Sequence, residues 1–323
     1  MRVKSTPLLI TALILVTLPI LYFRTDSTRN SLILLQRMFY KENIPTPSLS
    51  RDSDIIFSDR DQFGIRMLNQ TTVNGKVWVS NWNNGHYRDL RSGERDPDNN
   101  QFIARGNGTV TINGSGIAQI SGDSPRMYVY DQAKKEKWNN VEVTIYAKRV
   151  SESGRKSSQG FVIGVRSEHQ DANEQAPCLG RTYYGRLLYD GRAVFQKEVV
   201  HEGAYSVNMP NEDHKALWDT TDGSLPQNRW VGIKYVVKTN SDRKSVGMEL
   251  YRDLTDGENG GNWEKVAEYI DNGKWSQTDT GIDVQKVCGY PANSVLLDPG
   301  TSVFIRNDLI KTAEYKFFSI REI

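Results

Sequence analysis

Cysteine and histidine are scarce in this chain. There are two cysteines, Cys178 and Cys288, and four histidines among 323 residues. No Cys-x-x-Cys pair or comparable spacing is present, which excludes zinc fingers and ribbons and leads us to expect no metal site. Absent too are a Gly-x-Ser-x-Gly nucleophile turn and a phosphate-cradling glycine loop. Lys plus Arg number 41 against 39 Asp plus Glu, and no basic run breaks that balance, so a nucleic-acid partner is not expected. Retaining glycosidases need two carboxylates held close together. The chain has no Glu-x-Asp-x-Glu strand, and the nearest match, Glu94-Arg95-Asp96-Pro97-Asp98, lacks the last glutamate.

What is present begins with an export signal. Arg2 and Lys4 precede an apolar run from Pro7 to Phe23, closed by Arg24 and Asp26. The run is roughly 17 residues, just long enough to span a bilayer, and no small-x-small cleavage site follows it. We expect an uncleaved anchor over residues 1–24, with a cleaved signal as the alternative. The basic residues before the run place the rest of the chain outside. Residues 25–60 read as a stalk, with proline and serine favouring extended chain. The two cysteines are then either free buried thiols or one disulfide, the latter suited to an exported protein. Sequons at Asn69, Asn107 and Asn113 fit that location.

From residue 61 to 323 the pattern is all-β. Short runs rich in Val, Ile, Tyr and Thr recur between Gly, Asn and Asp, predicting about a dozen strands of an antiparallel β-sandwich or jelly roll. Val141, Val143, Ile145 and Ala147 alternate with Glu142, Thr144, Tyr146 and Lys148, predicting one core face and one face toward water or ligand.

The segment from Tyr183 to His201 carries the most chemistry. Asp190-Gly191 between two β-type runs predicts a two-residue hairpin turn. In that register Tyr184 faces Lys197 and Arg186 faces Phe195, so Tyr184, Arg186, Lys197 and His201 share one sheet face. Gln196 and Glu198 fall on the other. Arginine and lysine pair with carboxylates, and tyrosine or histidine can move a proton. This set suits an acidic polysaccharide, bound or cleaved by β-elimination, with Tyr184 or His201 as base or acid. Arg186, Lys197 or Arg166 would hold the substrate carboxylate. Arg166 is expected on the polar side of its strand, extending the basic face. His169, Tyr146 and His86 are further candidates for substrate contact. Two acidic loops, around Asp96, Asp98 and Asn99 and from Asp253 to Asn259, could hold a structural calcium. Tryptophans near strand ends, if exposed, would stack on sugar rings.

The stretches Trp138 to Thr144, Cys178 to Tyr189, Phe195-Gln196-Lys197-Glu198 with His201, Arg229 to Lys234, and Phe317 to Ile323 resemble concanavalin-like (LamG-type) jelly-roll proteins of archaea without an assigned function. The likeness covers most of residues 61–323. It implies a fold distantly similar to alginate- and glucuronan-type polysaccharide lyases. The Gln-x-His and Tyr-x-Lys-x-Gly-x-Tyr strands of alginate lyases do not stand here in that form. Arg166-Ser167-Glu168-His169 and Tyr183-Tyr184-Gly185-Arg186 are loosely comparable. That departure favours sugar recognition over catalysis. The rival expectation is a structural or adhesive cell-surface protein.

Overall fold

The computed structural model describes residues 59–154, 159–201, 203–210, 217–278 and 280–323. The anchor and nearly all of the stalk lie outside the described residues. Among the described residues no helix is long and apolar enough to cross a membrane. Ser58–Ile323 form one compact unit.

Fifteen strands build it: β1 (Val77–Val79), β2 (Arg88–Arg91), β3 (Arg95–Asp96), β4 (Asn99–Ile112), β5 (Ala118–Val129), β6 (Val141–Ser151), β7 (Gly160–Ser167), β8 (Thr182–Leu188), β9 (Ala193–Val200), β10 (Ala204–Tyr205), β11 (Trp230–Thr239), β12 (Val246–Asp253), β13 (Glu264–Asp271), β14 (Ser302–Asp308) and β15 (Thr312–Glu322). Among the described residues one short α-helix, α1 (Val284–Cys288), is capped by the Asp283 carboxylate and ends on Gly289 in the left-handed region. The named strand pairs are all antiparallel, in the order β10-β9-β8-β7-β14-β5-β15-β6-β11-β12-β13, with β4 beside β5. Phe161, Ile163, Val165, Tyr183, Phe195, Val303 and Met127 from the first part of this order share one buried cluster with Val143, Ile145, Val231, Ile233, Met248 and Ile320 from the second. The architecture is the antiparallel sandwich expected from the alternation.

Asn99–Ile112 and Ala118–Val129 are two long strands, not several short runs between glycines and asparagines. The glycines that read as turns lie within β4 and β5. The register slips between Asn107 and Gly108, and Gly106 and Gly122 take φ of +77° and +139°. A Cβ on Gly106 would sit 2.0 Å from the Ser124 carbonyl oxygen, so these glycines serve a bulge, not a turn.

The outer face of β6 is not open to water. Glu142, Thr144 and Tyr146 are all buried. Glu142 accepts from the Asn69 backbone N–H at 2.9 Å and pairs with Lys234 at 3.0 Å and Arg321 at 2.8 Å. The chain before β1 folds over this face, so the expected solvent side is a second, polar interior. Tyr146 belongs to it: its hydroxyl donates to Asp253 at 2.8 Å, and it packs against Trp263 and Phe317. Four of the tryptophans proposed as stacking platforms, Trp82, Trp138, Trp218 and Trp275, are buried. Half-buried Trp230 and Trp263 lie under lysine ammonium groups.

Candidate functional site

The hairpin between β8 and β9 differs from expectation by one residue. Leu188 and Arg192 close a three-residue loop in which Gly191 takes φ +85°. Tyr184 therefore pairs with Gln196, Tyr183 with Lys197, and Thr182 with Glu198. The sequence carries a three-residue loop as well as a two-residue one, because glycine suits the left-handed position of either. One residue of slip turns every β9 side chain over.

Lys197 consequently points into the core, away from Tyr184. It is fully buried, with its Nζ 2.7 Å from the Asp271 carboxylate and 2.7 Å from the Ser294 carbonyl. Tyr183 donates to the same carboxylate at 2.7 Å. Burial pulls the Lys197 ammonium below its ordinary pKa, against the pull of Asp271. The face expected to join Tyr184 and Lys197 does not exist.

Arg166 is a second correction. A bulge there, with φ of +49°, turns its guanidinium inward. It donates to the Leu296 and Asn139 carbonyls and to Asn140 and Thr239. Ser167, not Arg166, stays on the Tyr184 side, where its hydroxyl meets that of Thr182 at 2.8 Å. His86 is exposed in the loop before β2 and leans on Asp98 at 3.0 Å. The carboxylates of both acidic loops already serve protein donors. Asp96 and Asp98 face Arg88, and Asp253 caps the turn at Thr255, Gly257 and Asn262.

What the true register assembles is a face of transverse rows. Directly opposed residues share a side. Across β4, β5, β14, β7 and β8 one row reads Arg105, Arg126, Arg306, Val162, Arg186. The next row reads Ile103, Tyr128, Phe304, Gly164, Tyr184, and ends on Gln196 of β9. Gly164 makes room for Phe304, whose ring would lie 2.3 Å from a Cβ there. Tyr128 and Phe304 stack at 4.6 Å, and the Arg306 guanidinium lies 5.1 Å over the Tyr184 ring. Asp308 pairs with Arg306 at 2.7 Å and Arg186 at 3.2 Å. Neither Arg105 nor Arg126 has a carboxylate partner among the described residues.

Beyond the aromatic row lies Glu198, fully buried. It accepts from the Tyr184 hydroxyl in a short hydrogen bond and from the Tyr205 hydroxyl at 3.3 Å. The His201 Nδ1 lies 2.9 Å from it, and the His169 Nε2 lies 3.5 Å away. The His169 and His201 rings meet edge to face at 4.5 Å. On its other nitrogen, Nδ1, His169 meets the Tyr128 hydroxyl at 2.9 Å. Burial, with Arg126 and His201 adding to it, pushes the His169 imidazole down to about 3, so it is neutral at physiological pH. Burial and the Glu198 charge push the Tyr184 hydroxyl well above its ordinary value. Burial pushes Tyr128 up to about 12.

His201 lines a cleft of about 720 Å³ together with Ala172, Pro177, Val200, Ile282 and Val287. The Cys178–Cys288 disulfide, formed across a separation of 110 residues, joins two walls of that cleft. Of the nominated residues, Tyr184, Arg186, His169 and His201 thus lie on or beside one face, while Lys197, Arg166, Tyr146 and His86 do not. Glu198, Arg126, Arg306, Tyr128 and Tyr205 were missed. The first was assigned to the wrong side by the slip. The others stand in short alternating runs whose neighbours only the pairing reveals.

These elements define an antiparallel sandwich with a basic, aromatic sheet face ending in a buried His–Glu–His cluster. No protein-family model matches the chain, and no curated protein does. Among solved structures it is similar to the calcium-bound exoplasmic/lumenal domain of VIP36, with 12% identity, 76% of this chain and 92% of that one covered, and a TM-score of 0.36. It is similar as well to lectin II from Ulex europaeus, at 8% identity, 74% and 100% coverage and a TM-score of 0.35. A third is the receptor binding domain of botulinum neurotoxin mosaic serotype C/D, at 12% identity, 75% and 48% coverage and a TM-score of 0.34.

Proposed function

We propose that this is an exported protein that binds an acidic polysaccharide across the face of β4, β5, β14, β7 and β8. The observation that carries the reading is the transverse row of Arg105, Arg126, Arg306 and Arg186, in which Arg105 and Arg126 meet no carboxylate among the described residues while Arg306 and Arg186 meet Asp308. Adjacent strands lie about 4.8 Å apart, so Arg105, Arg126 and Arg306 spring from the sheet at intervals comparable to one sugar unit, with Arg186 two strands beyond Arg306. Guanidinium forks take carboxylate or sulfate oxygens in pairs. The disulfide supports an oxidising compartment, where such glycans are met.

The finer expectation of β-elimination draws less support. Tyr184 is fully buried and its hydroxyl is given to Glu198, so it has no free path to a sugar proton. Recognition is therefore the reading we adopt.

The test is electrophoresis of the purified full-length protein through gels containing a polyuronate or a neutral glucan. Ultraviolet absorbance of unsaturated product is followed in parallel. We expect retardation by the polyuronate, weakened roughly tenfold in Arg126→Ala, since one hydrogen bond to a charged group contributes about 1.5–3 kcal/mol. Equal retardation by the neutral glucan, or an Arg126→Ala protein that migrates like the parent, would overturn the proposal. Rising absorbance would add cleavage to binding. No retardation in either gel would move the reading to a structural surface protein.

A further inference from the structure

The buried cluster poses an electrostatic problem of its own. Glu198 is fully buried, yet no lysine or arginine forms an ion pair with it among the described residues. Its neighbours are two tyrosine hydroxyls and two imidazoles. Burying a carboxylate without a cation is costly, and most buried charges are paired or bind metal. His169 is also buried, and its Nε2 has no hydrogen-bond partner. That nitrogen and Glu198 Oε2 face each other at 3.5 Å. The unpartnered imidazole nitrogen and the carboxylate oxygen are thus two ligand atoms aimed at one point.

We infer that His169, Glu198 and His201 form a binding site for a divalent transition metal, with zinc the best fit. The three side chains bring their ligand atoms within 4.8 Å of one another. Zinc bonds to nitrogen and carboxylate oxygen run about 2.0–2.2 Å, which sets tetrahedral ligand atoms roughly 3.4 Å apart. The His169–Glu198 separation already has that value, and the 2.9 Å His201–Glu198 contact needs only a slight opening. Imidazole nitrogens with one carboxylate suit zinc far better than calcium or magnesium, which prefer oxygen cages. The outer partners are in place. Tyr128 engages His169 Nδ1 and fixes the ring, while the Tyr184 and Tyr205 hydroxyls orient the carboxylate.

The three ligands found among the described residues would leave a tetrahedral ion one position for a further ligand or water. His201 lines the cleft, so an ion held here is reached from that side. The sequence spacing concealed the site. Glu198 and His201 lie three residues apart, but His169 comes from a separate turn after β7.

The experiment uses the purified full-length chain, stripped with a chelator and dialysed. Zinc is titrated against a chromogenic chelator, and Co²⁺ is added separately for visible spectroscopy. We expect one equivalent of zinc to be withdrawn from the dye and cobalt to give intense d–d bands with tetrahedral character. His201→Ala, in which a half-buried side chain is removed, should lose at least tenfold in zinc affinity and most of the cobalt absorption. Glu198→Gln, which keeps the shape, should do the same. Zinc binding unchanged in a folded His201→Ala protein overturns the assignment, as does a wild-type protein that withdraws no zinc and yields no cobalt bands. The wild-type spectrum needs no variant, so the test survives a substitution that fails to fold. Neither readout involves a polysaccharide, so its outcome is independent of the arginine row.

Discussion

Lys197 and Glu198 are neighbours that the pleat sends to opposite sides of β9, and each meets a different kind of chemistry. Lys197 neutralises Asp271 in the core. Removing one partner of a buried pair leaves the other uncompensated, at about 3–5 kcal/mol. Lys197→Met should therefore lower Tm markedly in a melt followed by circular dichroism. The affinity of the folded fraction for a polyuronate should be unchanged, because the ammonium lies on the side away from the arginines. A similar argument applies to Glu142, and it has a pH signature. Burial alone would raise its pKa, but Lys234 and Arg321 outweigh that and hold it below the usual carboxylate range. A depressed folded pKa means stability that is complete above the unfolded value of about 4.3 and is lost as pH falls through the folded one. Acid denaturation should show this loss below about pH 4. Glu142→Gln should lack that component and start from a lower Tm at neutral pH. At this scale the sequence was partly readable. Histidine, tyrosine and arginine types at Tyr184, Arg186, His169 and His201 were picked for their chemistry, and they do gather. Lys197 has the same chemistry and was misplaced, because residue type says nothing about which side of a strand it occupies.

Strand identity was legible because alternation is local. β6, β7, β8, β9, β11, β12 and β13 stand close to where period-two patterns put them. Pairing was not legible to the same depth. The Tyr189-Asp190-Gly191 loop and the bulges at Gly106 and Arg166 each change register by a residue, and local sequence allowed more than one answer. The short strands β2 and β3 were missed, since four and two residues are too few to display a period. Gly164 tests how strictly the elements fit. Its missing side chain is the space that Phe304 occupies between Tyr128 and Tyr184. Gly164→Ala should force that ring aside, lower stability by about 1–3 kcal/mol, and alter the near-ultraviolet dichroism of the aromatic row. An unchanged spectrum and Tm would mean that the row is looser than its contacts imply.

For the whole molecule, the disulfide and the covered face set what is left exposed. The chain before β1 closes over the outer side of β6, and on the arginine face the aromatic row and Arg186 are buried, so Arg105, Arg126 and Arg306 are the partly exposed cations offered to a ligand there. Closing a loop of about 100 residues by a disulfide contributes about 4.7 kcal/mol in the chain-entropy model. The Cys178→Ser, Cys288→Ser double variant should accordingly melt earlier. Because Pro177 and Val287 line the cleft beside His201, it should also release zinc faster than the parent, in the same dye assay. Export and an acidic ligand are readings that the apolar run and the charged residues suggest, and both stay proposals. The inferred metal site could not be suggested that way, because His169 and the Glu198–His201 pair come from segments that only the folded sheet unites.

The row of guanidinium groups has a consequence that reaches past binding. Arg105 and Arg126, which have no carboxylate partner among the described residues, stand beside the Arg306–Asp308–Arg186 set, and their like charges repel when no anion is bound. Screening shortens to about 8 Å at 0.15 M salt and 3 Å at 1 M, so added salt relieves that repulsion. The same salt weakens the grip on an anionic chain. Ionic strength should thus raise the melting temperature of the vacant protein and lower that of the protein saturated with glycan, until the two curves converge. The arginine row would then act as a salt gauge, its own repulsion exchanged for contact with whichever anions are at hand.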